Sequence, residues 1–176
     1  MKKSLFLIPI VFLAFTVPTW KIKTETSTIT FKIKNAGSWV PGSIGGLAGT
    51  IKFDPADLAN SSITGSVDVS TISTANSGRD KHLKNPDFFD APTYPKMSLK
   101  SKSIKKDGAD YLMEASLTIK NTTKTVTIPF SFTLADATKG LFKSEFEIDR
   151  VDYGVGENGL VMGNTVKIVL FVPVYQ

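Results

Sequence analysis

The chain has 176 residues, the length of one domain, and its hydrophobic content of 41% is enough to bury a core. It contains no cysteine, which excludes disulfides, thiolate metal ligands, a cysteine nucleophile and a lipid attached to cysteine. The net charge of +5 comes mainly from lysines that alternate with apolar residues, and not from the clustered arginines and stacking aromatics of a nucleic-acid-binding protein.

Residues 1–19 predict a signal peptide. Lys2 and Lys3 precede an apolar run over residues 5–17, which is shorter than the roughly 20 residues that span a bilayer. Cleavage is expected between residues 16 and 19, which leaves a mature domain over residues 20–176. An uncleaved N-terminal anchor is the alternative, because no good Ala-x-Ala site follows the run. Export predicts a periplasmic location, with which the absence of cysteine is compatible.

From Trp20 onwards, apolar and polar residues alternate with a period of two, which predicts strands with one apolar and one solvated face. Turn signals that contain Gly, Asn or Asp separate several of these strands, for example at residues 106–108 and 157–159. Seven to nine strands with short turns and no long helical pattern predict an antiparallel barrel or a sandwich. The predicted strands cover residues 29–34, 50–54, 62–69, 96–104, 111–120, 123–134, 141–148 and 165–174.

Two short segments lack this period-two alternation. Residues 55–60 predict one helical turn, because Asp54 suits an N-cap and Pro55 suits the first helical position. Residues 77–89 are the only stretch that resembles a short helix. The glycine-rich run over residues 40–49 lacks the Lys-Ser/Thr ending of a phosphate-binding loop, so it predicts a bent or mobile strand at a barrel rim.

His82 is the only histidine of the chain. A catalytic triad would need a nucleophile beside it and an acid such as Asp80 behind it, but no Gly-x-Ser-x-Gly motif is present. One histidine cannot build a usual zinc site without several carboxylates. The pattern therefore favours a structural His82 that donates to a backbone carbonyl, and we predict neither catalytic nor metal-binding residues.

Arg79 and Arg150 stand out because nearly all other cations of the chain are lysines. The planar guanidinium group is favoured in partly buried ion pairs. The favoured interpretation is a structural bridge that ties the short helix to the barrel wall. The other interpretation is a clamp on the polar head group of a ligand at the barrel mouth.

Alternation alone leaves open whether the inward residues fill a core or line a cavity, and a filled core is the commoner use of such residues. Several motifs, however, occur together and in order over almost the whole mature chain, and together they resemble the YceI-like family of periplasmic polyisoprenoid-binding proteins. These motifs are residues 49–55, 70–83, 86–90 with 94–98, 115–124 and 149–154.

The resemblance implies an all-β, lipocalin-like antiparallel barrel of about eight strands, with one short helical segment near residues 77–86. It also implies a long isoprenoid chain or isoprenoid quinone in the lumen and no other cofactor. The chain departs from the family pattern at Ser27 and Thr28, where the family usually has His-Ser, and at Asn121, where it has Gly. The first departure removes a polar group near one end and so leaves the head group of the ligand open.

With the resemblance, the expected function is a periplasmic binding or carrier protein for an isoprenoid-type lipid, and not an enzyme. Transient contact with a membrane and a homodimer are left open as further interactions. Two alternatives remain: an enzyme for a small substrate that uses His82 and Asp80, and a filled barrel that binds a partner through its rim loops.

Alternation predicts which side chains face the lumen, although a register error of one residue would exchange the two faces. Arg79, His82, Tyr94 and Arg150 are the candidates for contacts with a head group or at the mouth. The predicted lumen-facing residues are Ile29, Phe31, Ile33, Ile51, Phe53, Val67, Val69, Met97, Leu99, Leu117, Ile119, Val126, Ile128, Phe130, Phe146, Ile148, Val169 and Phe171.

Overall fold

Nine strands account for most of residues 16–176, which are the part of the chain that the computed structural model describes. One α-helix, α1 (Ser77–Leu83), and two single 3₁₀ turns, Thr24–Thr26 and Val151–Tyr153, connect some of them. The predicted signal peptide lies mostly outside the described residues. The strands are β1 (Thr19–Ile22), β2 (Thr28–Asn35), β3 (Ser38–Lys52), β4 (Ser62–Ser73), β5 (Lys96–Asp107), β6 (Asp110–Ile119), β7 (Thr122–Asp136), β8 (Lys139–Asp149) and β9 (Met162–Tyr175).

The eight long strands form a closed antiparallel barrel. Their order is β3-β2-β9-β8-β7-β6-β5-β4, and pairing of β3 with β4 closes the ring. The short strand β1 pairs with both β3 and β9. Closure leaves none of the eight strands with a free edge, which is how barrels avoid pairing with other chains. The all-β barrel of about eight strands with one short helix is confirmed, and the sandwich is excluded.

Strand directions define two ends of the barrel. The base carries β1, the loop after β3 and the turns between β5 and β6 and between β7 and β8. The top carries the β2–β3 hairpin, the segment that contains α1, the β6–β7 turn and the loop over residues 150–161. Both segments with unusual polar residues, around Arg79 and around Arg150, therefore lie at the top.

Aromatic side chains fill the base. The ring of Phe53 has no exposed surface and lies edge-on to four other rings at centroid distances of 5.0–5.6 Å. Edge-to-face packing of this kind suits the quadrupoles of aromatic rings. Trp20 of β1 covers the cluster, and its indole Nε1 donates a hydrogen bond of 2.9 Å to the carbonyl of Phe53. The four rings around Phe53 belong to Tyr111, Phe130, Phe132 and Phe142.

The helical turn predicted for residues 55–60 is wrong, because this segment forms polar turns. The carboxylate of Asp54 accepts a hydrogen bond from the backbone amide of Ala56, and the carboxylate of Asp57 accepts from the side chain of Asn60. Short polar side chains that bond to nearby groups in this way compete with helical hydrogen bonding. A cap before a proline was therefore not a sufficient helix signal.

The short helix begins where the sequence predicts it and ends earlier. The side chain of Asn76 caps α1 by accepting a hydrogen bond of 2.9 Å from the amide of Arg79. The helix ends at Leu83, and residues after it form turns. Pro86 explains this end, because proline has no amide hydrogen and disfavours helical backbone in the residue before it.

The glycine-rich run lies within β3, in the wall of the barrel and not at its rim. Its pairing with β4 shifts register on both sides of Gly45. Gly46 has a φ of +68°, and a Cβ atom there would lie 2.6 Å from Cβ of Asp68, so only glycine fits without a shift. The predicted bend is therefore present as a pair of bulges that let the wall curve.

We expect a Phe53→Ala variant to lose about 3–5 kcal/mol of unfolding free energy, because it opens a cavity at the centre of the aromatic cluster. Phe171→Ala is the matched control, since the Phe171 side chain is 38% exposed on the outer face. It should cost less than about half as much, because a good part of its ring stays exposed to water on folding. Urea denaturation followed by circular dichroism measures both, and equal losses would contradict a base held together by Phe53.

Candidate ligand-binding cavity

A cavity of about 260 Å³ lies inside the barrel above the aromatic base, and almost all of its surface is apolar. Strand β8 shows its length, because the lining includes Phe142, Phe146, Ile148 and Arg150. Eight residues of strand correspond to roughly 26 Å, and a usual barrel tilt reduces this to ~20 Å along the axis. The cavity therefore follows the barrel axis from the base to the top.

The pattern of burial shows that the barrel is filled at its base and hollow above. Inward residues near the base, such as Phe130 and Val174, are buried. Inward residues further up, such as Phe31, Phe146 and Ile168, are only half-buried although they point into the barrel. Their remaining surface borders empty space. Both uses left open by alternation therefore occur: a filled core at the base with a smaller buried cluster at the top, and a cavity in the barrel.

Twelve of the eighteen predicted lumen residues border this cavity. Their alternation in the sequence correctly placed them inside, whereas their contact with a ligand stays a prediction. The twelve are Ile29, Phe31, Ile51, Val67, Met97, Leu99, Leu117, Ile119, Ile128, Phe130, Phe146 and Ile148.

Four further predicted residues lie inward but do not line the cavity. Phe53 and Val69 are almost fully buried, with exposures of 0% and 1%, and pack in solid parts of the core. Ile33 and Val126 are half-buried, and Val126 packs against buried residues at both ends of the barrel. For these four residues, alternation predicted the inner face correctly, but it could not show that they lie away from the cavity.

The prediction that Val169 and Phe171 face the lumen is wrong. Their side chains are 40% and 38% exposed, and the cavity is lined instead by Ile168 and Leu170 between and beside them. The run over residues 168–172 is apolar on both faces, so alternation is absent there. The sequence signal for the correct face was Lys167. A lysine faces solvent, so its neighbours Val166 and Ile168 must face the lumen.

Several lining residues were not among the candidates. Some come from the glycine-rich part of β3 and from the start and end of β4, and others from the loops that close the top. Proximity of loop residues to a lumen depends on tertiary folding, and alternation carries no signal for it. The additional apolar lining residues are Ile22, Ile44, Leu47, Ile63, Ile72, Phe89, Met113, Phe142, Val155, Val166, Ile168, Leu170 and Val172.

Arg150 closes the upper end of the cavity and is 4% exposed. Its guanidinium group donates hydrogen bonds of 2.7–3.3 Å to four backbone carbonyls, two in the loop that follows it and two at the start of β9. Burial lowers the pKa of Arg150, and the carboxylate of Asp149 opposes this shift. With its donors directed at the backbone, Arg150 holds the loop in shape. The four carbonyls belong to Val155, Glu157, Met162 and Gly163.

Arg79 and Asp80 meet at Thr74, which is buried at the end of β4. The Thr74 hydroxyl donates to Oδ1 of Asp80 at 2.5 Å and accepts from Nε of Arg79 at 2.7 Å. A second guanidinium nitrogen donates to the Thr74 carbonyl at 2.9 Å. Hydrogen bonds from Thr74, first from its hydroxyl, lower the pKa of Asp80. This arrangement ties α1 to the wall, as the structural interpretation of Arg79 expects.

His82 and Tyr94 lie at the top but do not line the cavity. The His82 imidazole is largely exposed, 3.9 Å from the carboxylate of Asp87, with its ring edge-on to Phe88 at 4.9 Å. The carboxylate that a catalytic dyad would need, that of Asp80, is occupied by Thr74. Within residues 16–176, no group of His, Asp or Glu side chains is placed to hold a metal ion.

Lys120 connects the two segments that cover the top. Its ammonium group donates to the carbonyls of Pro86 and Gly154 at 3.1 and 3.0 Å. The amide of Gly156 donates to the carbonyl of Asp87 at 2.9 Å. Because these bonds cross between the segment after α1 and the loop after β8, the two segments form one cover over the cavity.

A closed eight-stranded barrel with an apolar cavity is an architecture that can enclose one ligand. The model of the YceI-like domain matches residues 20–173, and the chain belongs to this family. The Escherichia coli protein YceI (strain UMN026) is 32% identical over 136 residues, covering 73% of this chain and 71% of that protein.

In the described part of the chain, no helix has the length and apolar character needed to cross a membrane.

Solved structures of two other proteins have the same fold. BcnA from Burkholderia cenocepacia superimposes with a TM-score of 0.82 at 24% identity, over 87% of this chain and 99% of BcnA. A polyisoprenoid binding domain from Saccharophagus degradans superimposes with a TM-score of 0.72 at 14% identity, over 92% of this chain and 99% of that domain. At these identities the similarity establishes the fold.

We expect Arg150→Lys to lower the unfolding free energy by about 2–3 kcal/mol, because a lysine cannot reach all four carbonyls and leaves some of them unsatisfied. Arg79→Lys is the control, since Arg79 is half-buried and bonds to Thr74 alone. It should cost less than half as much. Thermal denaturation compares the two variants, and equal effects would contradict a special role of Arg150 in the top loop.

We expect Asp80 to contribute to the acid stability of the protein. Because its pKa is lower in the folded than in the unfolded state, its stabilisation is present above its ordinary pKa of 3.8 and is lost as the pH falls through the folded value. An Asp80→Asn variant should therefore lose less stability than the wild type between neutral and strongly acidic pH. Denaturation curves along this pH series measure the slope, with the exposed Asp110→Asn as control.

Proposed function

We propose that this protein is a periplasmic carrier that holds a long isoprenoid-type lipid or isoprenoid quinone in the lumen of its barrel. The observation that carries this proposal is the apolar cavity that runs roughly 20 Å along the barrel axis between the aromatic base and the cover at the top. A narrow, long and apolar space suits a linear hydrocarbon better than a compact polar molecule.

The energetics support binding by shape alone. Each methylene group transferred from water into an apolar lumen contributes roughly 0.8 kcal/mol, so a long chain needs no polar contact to bind tightly. Arg150, the charged side chain at the upper end of the cavity, already donates to four backbone carbonyls. Selectivity then depends on the length and width of the lumen, and the head group stays near the top.

Similarity to the polyisoprenoid binding domain from Saccharophagus degradans supports the isoprenoid class of ligand. Membership of the YceI-like family supports the same class, because the matched region, residues 20–173, contains all the residues that line the cavity. Branched aliphatic lining residues such as Ile29, Val67 and Ile168 also suit the methyl branches of an isoprenoid chain.

The arrangement of polar groups supports binding without catalysis. His82 lies outside the cavity lining, and Asp80 is committed to Thr74. We expect a His82→Ala variant to carry the same lipid in the same amount as the wild type, measured by mass spectrometry of an organic extract. A variant that still folds but accumulates a chemically different lipid would instead favour an enzyme.

The leader supports export to the periplasm, where a carrier would move apolar lipid through water. Cell fractionation and N-terminal sequencing of the exported protein test this part of the proposal. A mature N-terminus between residues 16 and 19 in the periplasmic fraction is expected. Recovery of the intact N-terminus in the membrane fraction would indicate an uncleaved anchor instead.

Two neighbouring residues of β9 offer a matched test of the lumen. Ile168→Trp places a large ring in the cavity, whereas Val169→Trp places it on the outer face. Displacing two methylene groups of a bound chain costs about 1.6 kcal/mol, so Ile168→Trp should weaken binding of a long-chain ubiquinone more than tenfold. A short-chain ubiquinone should be affected much less, and Val169→Trp should bind both as the wild type does.

Fluorescence titration with the two quinones measures these affinities, and mass spectrometry of the organic extract identifies the lipid carried from the host. Absence of bound lipid from several hosts, together with no measurable quinone binding, would contradict the proposed function. Equal weakening by Ile168→Trp and Val169→Trp would contradict the lumen as the binding site.

A further inference from the structure

Large apolar side chains that are exposed to solvent are concentrated on one side of the barrel. Among residues 16–176 there are seven of them, and six lie on β9, in the segment that leads into β9, or at the start of β3. Only Leu134 of β7 lies elsewhere. Contiguous exposed apolar surface of this kind marks an interaction site more often than scattered residues do. The six are Trp39, Leu160, Val161, Val169, Phe171 and Tyr175.

Strand pairing makes these residues neighbours. The amide of Ala36 in the β2–β3 hairpin donates to the carbonyl of Val161 at 2.8 Å, so the hairpin lies beside the segment that leads into β9. Further down, β2 pairs with β9 along most of its length. Trp39 pairs across the hairpin with Lys34. The six side chains therefore form one stripe from the top of the barrel to its base.

Lysines accompany each aromatic ring of the stripe. The ammonium groups of Lys32, Lys34 and Lys167 lie 5.4, 5.5 and 5.8 Å from the centre of the Trp39 ring. Lys143 lies 5.8 Å from the ring of Phe171, and Lys21 lies at the same distance from Tyr175. In the described chain, five of the six contacts between a lysine and an aromatic face belong to this stripe. We call these five lysines and the six apolar residues the lysine–aromatic face.

The lysine–aromatic face carries a positive charge. Its five lysines are opposed by three carboxylates on the outer side of β8, and only the pair of Lys167 with Glu147, at 2.7 Å, is close enough for an ion pair. Lys32 and Lys34 form no ion pair within residues 16–176. The three carboxylates are those of Glu145, Glu147 and Asp149.

We infer that the lysine–aromatic face docks the barrel on an anionic membrane surface. Tryptophan and tyrosine rings favour the interface between lipid and water, and lysines above them extend to anionic head groups. The exposed Leu160 and Val161 at the top then insert among the acyl chains. A second copy of the protein fits this face less well, because a symmetric pair would place its lysines against each other.

This inference rests on the proposed function only in that a membrane is the source or destination of the lipid. Docking itself requires no ligand. The two ideas can therefore fail separately: quinone binding in solution tests the lumen, and vesicle binding tests the lysine–aromatic face.

The test uses the full chain and vesicles of phosphatidylcholine with or without phosphatidylglycerol. Each lysine near an anionic surface strengthens binding about fivefold, so Lys32→Gln with Lys34→Gln should weaken sedimentation with anionic vesicles roughly twenty-five-fold. The control changes two exposed lysines of β5 on the opposite side, Lys100→Gln with Lys105→Gln, and should have little effect. All variants should bind the quinone in solution as the wild type does.

Tryptophan fluorescence reports on the same face. The chain has two tryptophans, Trp39 and the buried Trp20. Subtracting the emission spectrum of a Trp39→Phe variant from that of the wild type therefore gives the emission of Trp39. We expect this emission to shift to shorter wavelength with anionic vesicles and to return when salt is added. The inference is overturned by an unshifted Trp39, by equal loss of vesicle binding in the β5 control, or by a dimer in sedimentation velocity that buries Trp39 without lipid.

Discussion

Closure of the sheet is the constraint on which the rest of the structure depends. Once eight strands close into a ring, the interior has a fixed width, and inward side chains either fill it or leave a space. At the base, Phe53 and the four aromatic rings around it fill the width. Above them, the inward residues are mostly Ile, Val and Leu, which are too small to meet across the same ring. The cavity is therefore a consequence of residue size at successive levels of one barrel, and no separate binding domain is needed.

The polar groups at the top serve to hold the cover, which leaves the lumen free of charge. Arg150 uses its donors on backbone carbonyls, the Arg79–Thr74–Asp80 contacts anchor α1, and Lys120 joins the two covering segments. Each of these groups is hydrogen-bonded within the protein, and these bonds connect the segments of the cover. Polar interactions thus stabilise the cover, and apolar side chains form the cavity that we propose as the binding site.

The sequence predicted most of the fold and part of the site. Alternation located seven of the nine strands, because most strands have one solvated face. It covered only the end of β3 and missed the short β1. It could not identify the lumen face of β9, because residues 168–172 are apolar throughout. Phe171 faces outward, where it belongs to the lysine–aromatic face and contacts Lys143. It also could not separate Phe53, in the solid base, from Phe31, in the cavity wall, because the level of each residue along the barrel depends on strand register. The prediction of a cavity for a ligand rested on the family motifs, because alternation alone favoured a filled core.

The bonds of Arg150 have a consequence for how this protein can change in evolution. Its four acceptors are carbonyl oxygens of the main chain, and every amino acid supplies the same oxygen. The hydrogen bonds that Arg150 makes therefore do not depend on the side chains of the residues that accept them. Residues such as Leu160 and Val161, which project from the loop between β8 and β9, can be replaced without loss of these bonds. Exposed side chains on the outer surface of the cover can thus change while the hydrogen bonds of Arg150 beneath them are kept.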